Sequence, residues 1–119
     1  MKWSDPSLLE GIDNPSNKAY EIKIKCPEVT FLGKKDQADY AHAFINMHPG
    51  TKVIELKSLK LYLHQFRNKV ISYERLINVI YDDLLTIYNP QRLRLMMELH
   101  PRGGILSRLT IDSDWKSRG

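Results

Sequence analysis

Hydrophobic and polar residues alternate in three stretches of the chain, the pattern of β-strands with one buried face. These stretches cover residues 20–26, 39–48 and 92–100. We predict that the first strand stops at Pro27 and that residues 30–37, which include Gly33, form a loop. Residues 105–111 follow a turn at 101–104 and predict a fourth strand. The positions that alternation assigns to one face are Tyr20, Ile22, Ile24, Ala41, Ala43, Ile45, Met47, Leu93, Leu95, Met97 and Leu99.

Two helices are predicted between the second and third strands, because apolar residues recur there at helical spacing. The first has apolar positions at Leu59, Leu63 and Phe66, and a second face carries a basic stripe of Lys57, Lys60, His64 and Arg67. Ser72 is positioned to cap the second helix, and Asn89 with Pro90 ends it. The apolar seam of the second helix consists of Tyr73, Ile77, Ile80, Leu84 and Ile87, and the outer positions are Arg75, Asn78, Asp82 and Asp83.

The element order is strand, strand, helix, helix, strand, strand. This order predicts a single α+β domain over residues 1–119, with a four-stranded antiparallel sheet and both helices on one face. Residues 1–18 are predicted to be an irregular arm, and residues 112–119 a frayed polar tail. Such a sheet has two open edges, which favours pairing with further subunits or closure into a ring.

Composition excludes several classes of protein. The 119 residues are 42% hydrophobic and 27% charged, which disfavours disorder and low complexity. No apolar stretch approaches the ~20 residues needed to span a bilayer, and the N-terminus lacks the pattern of a secretory signal. A single cysteine excludes an internal disulfide, and the four histidines have no metal-ligand spacing. We therefore expect a cytoplasmic protein with no membrane association and no metal.

The net charge of +4 is modest, and lysines and arginines are spread along the whole chain. Acidic residues interrupt nearly every basic stretch, and neither an RNA-binding sheet signature nor a finger spacing is present. The charge therefore favours anionic small molecules, or solubility alone, over direct nucleic-acid binding.

Residues 55–62, ELKSLKLY, resemble the signature of the QueF family at all eight positions. Further matching pieces occur in the family's order between residues 20 and 111: Cys26-Pro27-Glu28, Asp39, Phe66-Arg67-Asn68, Glu74 and Pro101-Arg102-Gly103-Gly104. The resemblance implies the tunnelling fold, whose subunits assemble into multimeric barrels of stacked rings with substrate pockets between subunits. It also implies NADPH as the cofactor and a purine-like substrate, 7-cyano-7-deazaguanine.

The resemblance assigns roles to individual residues. Asp39 matches the aspartate that donates a proton, and Glu74 matches the glutamate that grips the purine-like ring through a charge-assisted, two-point contact. The implied substrate-binding residues are Ile54, Glu55, Leu56, Tyr73 and Glu74, and the implied NADPH-binding residues are Leu56, Lys57, Arg102 and Gly103.

Two positions depart from the family pattern. Gly33 stands where the family has its nucleophilic cysteine, and a glycine cannot form the covalent thioimide. Tyr73 stands where a histidine is usual. Cys26 matches a different, upstream cysteine, and a free cysteine at a strand end is most often a small buried hydrophobe.

Three functions remain open from the sequence. The first is an NADPH-dependent reductase of the queuosine pathway that converts the nitrile to an amine. The second is a non-reductase tunnelling-fold enzyme on a pterin or 7-deazapurine. It would use Glu74 for recognition and take acid–base groups from Asp39, Tyr40, Tyr73, Lys34 and Lys35. The third is a binder without enzymatic activity, and a nucleic-acid binder is a weaker fourth.

Overall fold

A computed structural model describes residues 2–33 and 37–119 and confirms the α+β prediction. The strands are β1 (Gly11–Asp13), β2 (Ile22–Leu32), β3 (Ala38–His48), β4 (Lys52–Ile54), β5 (Arg92–Arg102) and β6 (Ile105–Asp112). The four long strands form an antiparallel sheet in the order β2-β3-β5-β6. The two short strands, β1 and β4, pair separately, with Gly11 opposite Ile54.

Both predicted helices are present. α1 spans Leu56–His64 and continues into a 3-10 turn, Gln65–Asn68, whereas α2 spans Tyr73–Tyr88. The Ser72 hydroxyl accepts a hydrogen bond from the Arg75 N–H at 3.1 Å, which confirms the predicted cap. Asn89 ends α2 in the left-handed conformation, with φ 41°. No helix in the described parts of the chain is both long and apolar enough to cross a membrane.

One apolar core lies between the sheet and the two helices. The predicted inward positions of β3 and β5 are buried, with the exception of Leu99, which is half-buried. The basic stripe of α1 is exposed at all four positions, as its helical spacing predicts. The prediction for the last turn of α2 is wrong, because Ile87 is 36% exposed and Tyr88, at 1%, takes the core position.

The first strand does not stop at Pro27, and the loop predicted at residues 30–37 begins only after Leu32. From Cys26 to Val29 on β2 there are three steps, against two from Ala43 to Ala41 on β3, so one extra residue forms a β-bulge. Proline is tolerated there because β2 is an edge strand. The bulge moves the inward positions from even to odd numbers, which interrupts the alternation on which the prediction relied.

The predicted arm and tail also contain more order than expected. The arm includes a 3-10 turn, Pro6–Leu8, and the strand β1. In the tail, Asp112 ends β6 with a buried side chain that accepts hydrogen bonds from Arg92 and Arg94. Backbone bonds join Ser113 to Leu93 at 2.8 Å and Trp115 to Asp112 at 3.0 Å. Both segments are too short for their periodicity to be recognised.

The long strands define two ends of the molecule. At the Gly33 end, β2 ends at Leu32 and β3 begins at Ala38, and a turn connects the end of β5 at Arg102 to the start of β6 at Ile105. At the Glu55 end, β3 leaves at His48 and the chain passes through β4 to Glu55 and α1. Helix α2 runs from the Gly33 end back to the Glu55 end, and its 16 residues are roughly 24 Å long.

Candidate functional site

Asp39 lies beside Gly33 at the Gly33 end. The Gly33 N–H donates to the Gln37 carbonyl at 2.7 Å, which holds the end of β2 close to the start of β3. A Cβ added at Gly33 would lie 3.8 Å from Oδ2 of Asp39 and 3.4 Å from the Gln37 carbonyl oxygen. The position where the family has its nucleophile is thus in van der Waals range of the predicted proton donor.

Arg102, the last residue of β5, contacts the same carboxylate. Its Nε lies 3.7 Å from Oδ1 of Asp39, and its guanidinium donates to the Ala38 carbonyl at 2.7 Å. The Asp39 side chain is 15% exposed, whereas that of Arg102 is 48% exposed. A loose ion pair with a half-exposed partner leaves the guanidinium available for an anionic ligand.

The turn after Arg102 requires glycine. Gly103 and Gly104 have φ values of 59° and 78°, a backbone conformation that side chains disfavour. A Cβ at either position would meet no atom of the described chain within 4 Å, so the turn presents open backbone next to Arg102.

The start of α2 is held at the same end of the sheet. The Leu32 N–H donates to the Lys69 carbonyl and the Ile71 N–H donates to the Leu32 carbonyl, both at 3.0 Å. This bridge brings Glu74, in the first turn of α2, to the end of β2 that leads into Gly33. The Glu74 side chain is exposed and lies where the helix N-terminus favours a negative charge.

Tyr73 points in the opposite direction from Glu74. The residue is 8% exposed, and its hydroxyl donates to the Met97 carbonyl in the sheet. Burial raises the pKa of this hydroxyl. Tyr73 therefore ties α2 to β5, and its phenol ring is packed in the core rather than presented to a ligand.

The remaining predicted residues lie at the Glu55 end. The Glu55 carboxylate caps α1 by accepting from the Lys57 and Ser58 N–H groups at 2.8 and 2.9 Å. Ile54 is 7% exposed and belongs to the core, whereas Leu56 is 61% exposed and Lys57 is also exposed.

A groove of about 380 Å³ separates α1 from the open edge of β2. Its walls contain Leu56 and Lys60 from α1 and Lys25 from β2. Cys26 also lines the groove, and burial raises the pKa of its thiol, so this cysteine is a poor nucleophile.

The ten residue positions discussed as substrate-binding, cofactor-binding or catalytic thus form two groups in one chain. The Gly33 end holds Gly33, Asp39, Tyr73, Glu74, Arg102 and Gly103, and the Glu55 end holds Ile54, Glu55, Leu56 and Lys57. The length of α2 keeps Glu74 roughly 20 Å or more from Glu55.

The residues suggested for NADPH fit a phosphorylated dinucleotide in charge and access. Arg102 and Lys57 are exposed cations suited to phosphate groups, and the backbone at Gly103 is open. They lie at opposite ends, however, so a single chain does not bring Arg102 and Lys57 together.

Two other predicted features have structural outcomes. Lys34 and Lys35, considered as acid–base groups, lie outside the described residues. Within the described ranges, no three or more histidine, cysteine or acidic side chains are grouped so that they could hold a metal ion.

The sequence did not reveal the pair formed by Tyr40 and His100. The Tyr40 hydroxyl lies 2.8 Å from Nδ1 of His100, and the rings stack with centroids 4.4 Å apart. Both residues are at polar-face positions of their predicted strands, but only the pairing of β3 with β5 makes them neighbours.

Comparison with known proteins identifies relatives with a named activity. A family model described as QueF-like protein matches residues 38–119. The chain is 40% identical over 107 residues to the NADPH-dependent 7-cyano-7-deazaguanine reductase of Nitratiruptor sp., covering 89% of this chain and 82% of that protein. It is 37% identical over 114 residues to the reductase of the same name from Wolinella succinogenes, covering 95% and 92% respectively.

Other relatives are longer. The Bacillus cytotoxicus reductase of the same name is 42% identical over 102 residues, and this chain covers 62% of its length. Among solved structures, an archaeosine synthase QueF-Like in the apo form matches with a TM-score of 0.74 and 13% identity, over 82% of this chain and 96% of that one. This likeness supports the same fold.

Proposed function

Because the chain belongs to the QueF family, we propose that it is an NADPH-dependent reductase of 7-cyano-7-deazaguanine in queuosine biosynthesis. The reaction would add two hydrides and two protons to the nitrile and give the aminomethyl group. The observation that carries the proposal is the contact of Asp39 with Arg102 beside Gly33, at the same end of the sheet as the first turn of α2, which holds Glu74. We place the reaction in the cytoplasm, where the reduced cofactor is available.

Glu74 would recognise the substrate. Its exposed carboxylate can accept from a ring N–H and an exocyclic amine, a pair of charge-assisted hydrogen bonds that selects a guanine-like edge. The N-terminus of α2 supports this negative charge before the ligand arrives.

Asp39 would supply a proton to the nitrile nitrogen. A general acid must lie within hydrogen-bond reach of the atom that it protonates. The space above Gly33, in contact range of Asp39, is where the nitrile would lie. Arg102 pairs with the other oxygen of the Asp39 carboxylate, with Nε 3.7 Å from Oδ1.

NADPH would supply the hydrides. Arg102 and the open Gly103 backbone would hold part of the cofactor at one end, and Leu56 with Lys57 another part at the other end. Since Gly33 has no side chain, the nitrile would be reduced without a covalent bond to residue 33.

We further propose that the site is completed by a second copy of the chain, in a homo-oligomer of stacked rings. The two groups of residues are too far apart in one chain to contact one substrate. Strands β2 and β6 are the edges of the sheet, and open edges favour pairing between subunits. Leu56, 61% exposed in one chain, would be covered by the neighbouring subunit.

The test is NADPH oxidation, followed by its absorbance, after addition of 7-cyano-7-deazaguanine. We expect turnover by the wild-type protein. In Glu74→Gln a neutral amide replaces the carboxylate that would accept both hydrogen bonds from the substrate, and we expect the substrate affinity to be roughly 100-fold weaker. Glu21→Gln is the matched control, since Glu21 is an exposed carboxylate that pairs with Lys23 and His48 outside the proposed site, and the substrate affinity of this variant should stay within twofold of the wild type.

Two results would contradict the proposal. A flat NADPH trace at high enzyme concentration would show that reduction does not occur. An unchanged substrate affinity in Glu74→Gln would show that the ring is not recognised by α2.

A further inference from the structure

The backbone of Glu10, in the N-terminal arm, forms a closed set of hydrogen bonds with the start of α1. The Glu55 N–H donates to the Glu10 carbonyl at 3.1 Å, and the Glu10 N–H donates to the Ser58 hydroxyl oxygen at 3.0 Å. The Ser58 hydroxyl in turn donates to the Glu55 carbonyl at 2.7 Å. The arm and the helix are therefore joined in both directions through part-buried hydrogen bonds.

Tyr88, the last residue of α2, binds the same point. Its hydroxyl donates to the Glu10 carbonyl at 2.6 Å, and the residue is 1% exposed. Burial and the nearby carboxylates of Glu55 and Glu10 raise the pKa of Tyr88, so its hydroxyl keeps its proton at neutral pH. We name these four residues, Glu10, Glu55, Ser58 and Tyr88, the Glu10 clamp.

The clamp determines what residues 54–56 can present to a ligand. Both carboxylate oxygens of Glu55 are engaged by backbone N–H groups of α1, and the Ile54 side chain is buried. Because the Glu55 N–H and carbonyl are also bonded within the clamp and α1, these residues can contact a ligand through the N–H and exposed side chain of Leu56 and through the remaining lone pairs of the Glu55 carboxylate. The positions of the groups that residues 54–56 present depend on the backbone conformation there. The clamp fixes this conformation through the hydrogen bond between Glu55 and Glu10.

We infer that Tyr88 and Ser58 are positioning residues that set substrate affinity by fixing the backbone of residues 54–56 through Glu10. This inference rests on the proposed function, because it takes residues 54–56 to be part of the substrate pocket. Glu10 itself lies outside residues 38–119, the segment that the family model matches.

Tyr88→Phe removes only the hydroxyl that binds Glu10. We expect the dissociation constant for 7-cyano-7-deazaguanine, measured by calorimetry, to rise roughly three- to tenfold, since one of the hydrogen bonds that fix Glu10, and through it the backbone of residues 54–56, is lost. The turnover number should stay within twofold, because the variant leaves Asp39, the proposed proton donor, unchanged. Hydrogen exchange of the Glu55 amide should become faster.

Tyr62→Phe is the matched control. Tyr62 is also fully buried, and its hydroxyl donates to Asp83 at 2.5 Å, away from residues 54–56. This variant should lower the melting temperature but leave the dissociation constant and the exchange of the Glu55 amide unchanged. Ser58→Ala provides a second variant of the clamp and should weaken binding in the same way as Tyr88→Phe.

The inference is overturned if Tyr88→Phe and Ser58→Ala bind the substrate as tightly as the wild type. It also fails if Tyr62→Phe weakens binding by the same factor, since the effect would then follow stability. A wild-type protein that does not bind 7-cyano-7-deazaguanine at all would instead overturn the proposed function, and the inference with it.

Discussion

The two ends of the sheet hold their functional residues by different means. At the Glu55 end, residues 54–56 are fixed by a strand pair, a helix cap and the Glu10 clamp. At the Gly33 end, Asp39 has a loose ion pair with a half-exposed arginine, and the neighbouring turn contains two glycines with open space around them. The comparison indicates that one end supplies a rigid surface and the other leaves room for ligands to be accommodated.

This difference is also a difference in chemistry. The Glu55 end offers the exposed Leu56 side chain and the Lys57 cation, and its carboxylate caps α1. The Gly33 end offers exposed or partly exposed carboxylates and a cation, which suit proton transfer and phosphate binding. Variants at the Gly33 end are therefore expected to affect both binding and reaction, whereas variants at the Glu55 end are expected to affect binding alone.

The largest expected effect is a new covalent activity in Gly33→Cys. The backbone at residue 33 is not in the left-handed region, and the added Cβ would make only ordinary contacts. In a Cys26→Ser background, we expect a thioimide with 7-cyano-7-deazaguanine, detected as a new absorption band and as an adduct by mass spectrometry. Gly33→Ser is the control and should give no adduct. Absence of an adduct in Gly33→Cys would show that the nitrile does not bind above residue 33.

A smaller effect is expected from removing the two cations proposed for NADPH. Arg102→Ala and Lys57→Ala should each raise the KM for NADPH roughly tenfold, by loss of a phosphate contact. Arg108→Ala removes a more exposed arginine that pairs with Glu98, and should leave this KM unchanged. If only Arg102→Ala has an effect, the cofactor is bound by the Gly33 end alone.

The smallest expected effect concerns stability at the Glu55 end, where Arg92 and Arg94 hold the Asp112 carboxylate. The pKa of Asp112 lies well below its usual range, mainly because Arg92 donates hydrogen bonds to the ionised carboxylate. Asp112→Asn should lower the free energy of unfolding at pH 7 by about 1–2 kcal/mol, because three charge-assisted hydrogen bonds from Arg92 and Arg94 are weakened or lost. Asp114→Asn, at a 57% exposed side chain, is the control with little expected change.

The pH dependence of the same pair follows from the lowered pKa. A carboxylate with a depressed folded-state pKa stabilises the fold above its unfolded pKa, about 3.9, and loses this contribution as the pH falls through the folded pKa. The difference between wild type and Asp112→Asn should therefore be constant from pH 7 to about 5 and shrink below about 4. Denaturant titrations at several pH values measure it, and a constant difference down to pH 2 would contradict the assignment.

The sequence predicted much of the fold because alternation and helical spacing are properties of single segments. Strands β3, β5 and β6 and both helices were recognised in this way. The second half of β2 was not, because the bulge between Cys26 and Val29 shifts the inward positions by one residue. The last core position of α2 is predicted as Ile87 although Tyr88 occupies it, since hydropathy alone favours isoleucine as the core residue.

The candidate site was recognised by resemblance, and its geometry could not have been predicted from the sequence. The contact of Asp39 with Arg102 depends on β5 pairing with β3 across the intervening helices. The Glu10 clamp consists largely of backbone groups, which leave no trace in side-chain patterns. The buried position of Tyr73 likewise depends on the Met97 carbonyl, a group that every residue has.

Helix α2 carries a tyrosine hydroxyl bound to a backbone carbonyl at each of its terminal residues, Tyr73 at Met97 and Tyr88 at Glu10. Because both ends of α2 are bonded to other elements, the length of the helix sets the separation of the two ends of the molecule. Its 16 residues set the distance between Glu74 and Glu55, and inserting four residues would lengthen it by about 6 Å. If neighbouring subunits each contribute one end to a shared pocket, the number of residues in this helix also fixes the spacing of pockets around the ring.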